Sequence, residues 1–177
     1  NKSHLISDYI LASQNCAIEK SIYMEVDVAP QLREKEREII QNLCADENII
    51  TEAAVYGASP GTPDFKMTLK ALLATNHTKG ARLVLHPPET KSGTCLSNDF
   101  ISDIQLLGQK NLLFDVCIRP AELSDVTELA LKCPDTTLIL DHCGNADPNI
   151  VSGQSNISVT TTYQHTRKQW LADIERL

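Results

Sequence analysis

Reactive side chains in this sequence sit at the ends of apolar runs, where a fold can present them together. The run Thr136–His142 (TTLILDH) closes with Asp141 and His142 and continues into Cys143-Gly144-Asn145. An apolar strand that ends in adjacent Asp and His, then a glycine for a tight turn, is how a sheet delivers an imidazole into a mouth with a carboxylate beside it, the alternative being a buried structural His. Asp141 and His142 are therefore the candidate catalytic residues. Gly80–His86 (GARLVLH) carries Arg82 inside and His86 at its end, Asn111–Ile118 (NLLFDVCI) carries Asp115 and leads into Arg119-Pro120, and Ser21–Val28 (SIYMEVDV) carries Glu25 and Asp27. A charged residue inside an otherwise apolar strand is costly unless it is paired or faces a wet site. Arg82, Asp115, Glu25 and Asp141 all break that rule, and such violations mark candidate functional positions. Structural alternatives stand beside them: an ion pair between Arg82 and Asp115 across adjacent strands, Glu25 or Asp27 pointing outward at a sheet edge, a solvated Arg119, and His86 bonded to a backbone carbonyl.

These residues need elements to hold them. The four runs above, with Ile49–Tyr56 (IITEAAVY), read as five strands whose starts are 28, 31, 31 and 25 residues apart. Amphipathic stretches lie between them. Pro30–Ala45 places Leu32, Ile39, Ile40 and Leu43 on one stripe; Pro63–Thr75 has Phe65, Leu69, Leu72 and Leu73; Asn98–Gln109 has Phe100, Ile101, Ile104 and Leu107. Ser124–Lys132, with Ser124 as N-cap and Val126, Leu129 and Ala130 facing inward, and a last helix from near Gln164 complete the pattern. Alternating strands and helices require right-handed crossovers and a parallel sheet. Two architectures satisfy this: a complete doubly wound five-strand sheet, or a little over half of a (β/α)8 barrel, which usually needs about 250 residues.

The chain has 177 residues, 42% hydrophobic and 22% charged, with a formal charge of −7. That composition fits one globular domain, residues 1–177, and disfavours nucleic acid or anionic membrane as a partner. No apolar window approaches the roughly 18 residues of a membrane span, and the start NKSHLISDYI lacks a signal layout, so a cytoplasmic protein is expected. Both ends look cut: there is no initiator Met, and WLADIERL stops inside a helical pattern. Six scattered cysteines without CxxC spacing read as reduced, mostly buried thiols, and the sequons at Asn76 and Asn156 read as chance. Neither GxGxxG, GxxxxGK[ST], GxSxG, HxH nor HExxH occurs, so no nucleotide loop, serine elbow or complete metal shell is signalled.

The blocks KGARLVLH (79–86), NLLFDVCIRP (111–120) and LILDHCGN (138–145), in this order, resemble the amidohydrolase-related family of barrel hydrolases, and most closely its lactonase branch. The resemblance runs over most of the chain. It implies an α/β fold, a partial (β/α)8 TIM barrel of about five β/α units, lacking the first strand with its HxH pair and the last with its Asp. It implies His142 as the imidazole that polarises a substrate carbonyl or enters a metal sphere, with Asp141 beside it. Arg82 corresponds to an arginine that binds substrate carboxylate, while Asn145 stands where some members have another arginine. His86, Asp115 and Arg119 would line the pocket. The activity implied is water attack on a lactone or similar carbonyl of a small molecule, with one divalent metal (zinc or manganese) in some members and none in others. The fragment alone is expected to be inactive. Alternatives are a non-catalytic, receiver-like five-strand binding module and a carboxy-lyase of the same superfamily.

Overall fold

The computed structural model describes residues 5–46, 49–152 and 161–177. The Asn156 sequon lies outside them. Five strands, β1 (Ser21–Met24), β2 (Thr51–Gly57), β3 (Thr78–Val84), β4 (Leu113–Cys117) and β5 (Leu138–Leu140), form one parallel sheet in the order β1-β2-β3-β4-β5. A doubly wound sheet reverses its strand order part-way, so sequential order excludes that architecture and the receiver-like module with it. Right-handed crossovers that always step the same way put every helix on one side and curl the sheet into a half-barrel.

The crossover helices are α2 (Arg33–Ala45), α3 (Phe65–Leu73), α4 (Asn98–Gln109) and α5 (Leu123–Lys132). Each buries one stripe against the convex face of the sheet. In α4, Ser97 caps the N-terminus by accepting from the Phe100 N–H, and Phe100, Ile101, Ile104 and Leu107 are all buried. The stripe of α2 differs from the expected one. Ile40 and Cys44 are buried four residues apart with Leu43 alongside, while Leu32 and Ile39 are exposed. Leu73 of α3 is likewise turned outward. Ser124 does not cap α5, because the helix already begins at Leu123 after a 3₁₀ turn over Pro120–Glu122. Beyond the expected elements lie α1 (Ile6–Ser13), one left-handed helical turn that we number α6 (His142–Asn145), and α7 (Pro148–Val151). The last helix, α8 (Thr161–Ile174), starts before Gln164.

Side-chain alternation separates the faces. Ala54, Tyr56, Ala81, Leu85, Phe114 and Val116 join the core under the helices. Their strand neighbours point the other way: Ile22, Met24, Val55, Leu113, Asp115 and Ile139 line an open cavity of about 580 Å³ on the concave face. Among the described residues no helix is long and apolar enough to cross a membrane.

Candidate active site

At the carboxyl ends of the strands the concave face turns polar. Its centre is Arg82, 8% exposed. The guanidinium donates through Nε to Asp141 Oδ2 at 2.5 Å and through Nη1 to Glu25 Oε1 at 2.5 Å. Burial works against the Arg82 charge, but the bonds to Asp141 and Glu25 outweigh it and hold its pKa above the ordinary value.

Local structure explains how Glu25 reaches so far. β1 ends at Met24, earlier than the run SIYMEVDV suggests, because the chain turns at Asp27, whose φ is 52°. Glu36 of α2 accepts from Tyr23 Oη at 2.8 Å and from the Val26 N–H at 3.1 Å, pinning the turn on both sides of Glu25. Oε2 of Glu25 accepts from the Asp27 N–H at 2.7 Å. Between Glu25 and Arg82 stands Gly57, in register with Arg82. A Cβ there would lie 3.1 Å from Arg33 Nε and 3.4 Å from Glu25 Oε2, so the glycine keeps the level open.

The ion pair between Arg82 and Asp115 does not form. The two residues are abreast on β3 and β4. Strand side chains lean along the strand, so the long arginine carries its charge up to the level of Asp141, and the short aspartate stays below. Asp115 is fully buried, and neither carboxylate oxygen has a hydrogen-bond partner. Burial first, then the Asp141 charge, pushes its pKa up to about 6 against the pull of Arg82. Two guanidinium groups thus stand near three carboxyl groups: Arg82 binds Asp141 and Glu25, and Arg33, whose buried Nε has no partner, lies on the Gly57 side of Glu25.

Asp141 follows directly on β5, and the next four residues all have positive φ: His142 50°, Cys143 52°, Gly144 73° and Asn145 53°. Left-handed geometry costs roughly 1–2 kcal/mol per non-glycine residue, so this turn must be held from outside. It is held three ways. The Gly144 N–H returns to Asp141 O at 2.8 Å, Trp170 Nε1 donates to Cys143 O at 2.9 Å, and Asn145 Nδ2 donates to Ile118 O at 2.8 Å and Cys117 Sγ at 3.4 Å. Gly144 packs so tightly that a Cβ would meet Leu123 Cδ2 at 2.4 Å. The result is an exposed His142 beside Asp141, with donor atoms of Cys117, Asp141 and His142 all within 4.8 Å of one another.

Of the candidate residues, the structure brings Arg82, Asp115, Asp141 and His142 to this rim. Asn145 is spent on the turn. Arg119 forms a bidentate pair with Glu122 (2.8 and 2.9 Å) and donates to Pro87 O at 2.9 Å, so it braces the loop after β3 against the loop after β4. His86 is exposed past the end of β3. Glu25, marked in the sequence as a charge within an apolar run but open there to a surface reading, also joins the rim. One member carries no mark in the sequence. Cys117 reads as a core thiol within an apolar run; the signal that could have found it is its spacing of two from Asp115, which puts both on the concave face.

No family model matches the chain. An uncharacterized protein, y4mH of Sinorhizobium fredii, is 24% identical over 155 residues, covering 81% of this chain and 50% of that protein. Among solved structures, an amidohydrolase from Burkholderia multivorans superposes with a TM-score of 0.78 in a form with bound HEPES and 0.77 in a form with bound zinc; both are 18% identical and cover 99% of this chain and 56% of theirs. Amidohydrolase 2 from Bifidobacterium longum subsp. infantis gives 0.66 at 19% identity, over 98% of this chain and 57% of its own. The chain thus spans about half the length of the relatives it matches. These likenesses bear on the fold, and they agree with a half-barrel.

Proposed function

We propose that this chain supplies the larger part of the mouth of a hydrolase that adds water to the carbonyl of a small ester-like molecule, a lactone first among them. The observation that carries the reading is Arg82, buried at the strand ends and tying Glu25 to Asp141 beside an exposed His142. The amidohydrolase names of the solved neighbours support it. In this reading the His142 imidazole, fixed by its left-handed turn, donates to the carbonyl oxygen as negative charge develops there. Asp141, held by Arg82, keeps the imidazole oriented. Arg82 acts chiefly as a positioning residue, with its remaining N–H groups available to an anionic part of the substrate. Glu25 fixes the guanidinium from the far side.

A divalent metal, zinc or manganese, belongs to the same reading, and one solved neighbour carries zinc. The donor set fits a cation: oxygen from Asp141 and nitrogen from His142 lie within 4.8 Å, near the buried and unpartnered carboxyl group of Asp115. Asp141 and His142 would hold it, and when bound it would polarise the carbonyl as a Lewis acid in place of the His142 N–H donor. The neighbours are nearly twice as long, so the 177-residue chain alone is expected to show no turnover. We place the reaction in the cytoplasm, where the thiols stay reduced.

The test is a panel of lactones offered to the full-length protein and to its His142→Asn variant. Turnover should fall about 10²-fold or more with the far-ultraviolet spectrum retained. Equal turnover in both would remove His142 from the site, and no turnover of any ester-like substrate by the intact protein would end the hydrolase reading.

A further inference from the structure

We infer that Cys117 is a metal ligand, so that the mouth holds zinc in preference to manganese on the Cys117 thiolate, an Asp141 oxygen and a His142 ring nitrogen. This deepens the reading above and rests on its metal, not on its substrate.

Three observations converge on the thiol. Cys117 is 1% exposed, yet it is absent from the apolar core, because strand alternation places it on the concave face above Asp115. Its sulfur accepts an N–H from Asn145 at 3.4 Å, the kind of outer bond that orients a ligand. Its Sγ lies with an Asp141 oxygen and a His142 nitrogen in a group no wider than 4.8 Å. Around tetrahedral zinc, with Zn–S of about 2.3 Å and Zn–N of about 2.0 Å, neighbouring ligand atoms stand roughly 3.5 Å apart. Small side-chain rotations close that difference.

Charge and strain point the same way. Asp115, two residues before Cys117, is fully buried and has neither oxygen satisfied, so a nearby cation would answer a charge that no side chain binds. The left-handed turn that presents His142 is costly, and the bonds from Trp170 and Asn145 hold it in place. A set of sulfur, nitrogen and oxygen donors selects zinc, whereas manganese prefers oxygen alone.

The experiment loads the metal-stripped full-length protein with cobalt(II). Stoichiometric binding should bring an intense sulfur-to-cobalt absorption in the near ultraviolet, which zinc displaces and manganese does not. Cys117→Ser should abolish the band and weaken zinc binding more than about 100-fold, beyond the loss of a mere outer partner. Cys143→Ser, altering the exposed thiol next to His142, should keep the band. If Cys117→Ser does not fold, X-ray absorption at the zinc edge of the unaltered protein decides: a sulfur neighbour near 2.3 Å supports the assignment, and a shell of nitrogen and oxygen alone overturns it. Failure to retain cobalt or zinc, binding without the band, or a band that survives Cys117→Ser also overturns it. None of these readouts needs turnover, so a sulfur-ligated metal in a protein that hydrolyses nothing would sink the hydrolase reading and leave the site standing.

Discussion

The two faces of the sheet are made of the same five strands and obey opposite rules. On the convex face Ala54, Tyr56, Ala81, Phe114 and Val116 are sealed under the helices. On the concave face the lower positions are apolar but open, as with Ile22 and Ile139, and the upper ones are charged and closed. Phe114 and Asp115 show the contrast in two consecutive residues, both fully buried. Phe114 packs edge-on against Phe100, with ring centroids 5.7 Å apart and planes at 82°. Asp115 has no hydrogen-bond partner among the described residues. One face carries stability and the other stores its deficit, which is what a fold does when it keeps a site polar inside a sheet.

The largest effect expected from this contrast is on the convex side. Phe114→Ala should cost about 3–5 kcal/mol, since it empties a buried aromatic site and ends the contact with Phe100. Denaturant unfolding measures it. A loss under about 1 kcal/mol would mean that the helix layer is not the stabilising face.

One residue along, the sign reverses. In the metal-free protein Asp115 has a folded pKa of about 6 against an ordinary 3.8. A carboxyl raised on folding contributes stability that is fully present below pH 3.8 and is lost as pH rises through about 6. Roughly two pH units at about 1.4 kcal/mol each give a decline of roughly 3 kcal/mol across that window. Asp115→Asn should remove this slope and be the more stable protein at about pH 7, by about 1–3 kcal/mol. Urea melts of chelator-treated protein at about pH 4, 5 and 7 compare the two. A variant that is less stable at neutral pH would show that the carboxylate has a partner in solution.

Much of this division is legible in the amino-acid order. Strand and helix periods give the α/β repeat, and the four charged residues inside apolar strands are the ones found at the rim. What sequence leaves open is relational. Half-barrel and doubly wound sheet share one local pattern, and strand order alone separates them. An ion pair between Arg82 and Asp115 stands as an alternative in the sequence because their strands are neighbours. The arginine stem bypasses that level for Asp141, and Gly57 opens the route to Glu25. Arg119 reads as free at a loop, but Glu122 lies within its reach only because a 3₁₀ turn brings it back. The left-handed turn at His142 has no signature beyond one glycine, because three non-glycine residues adopt its geometry only under tertiary restraint.

The smallest effect tests whether the lower concave face is as open as the comparison requires. Ile22 is 63% exposed there, whereas Ile40, packed against the opposite face, is 6% exposed. Ile22→Thr keeps a β-branched side chain that suits a strand and removes apolar surface that water already reaches. The 177-residue chain should therefore change in stability by no more than about 0.5 kcal/mol. A loss of about 1.5 kcal/mol or more would mean that Ile22 is covered in solution. A melting temperature that rises with protein concentration would then assign the cover to a second copy of the chain, because only an association between molecules responds to concentration. In that event the faces would differ in what buries them rather than in whether they are buried, and the polar rim above would lie at the mouth of a closed cavity.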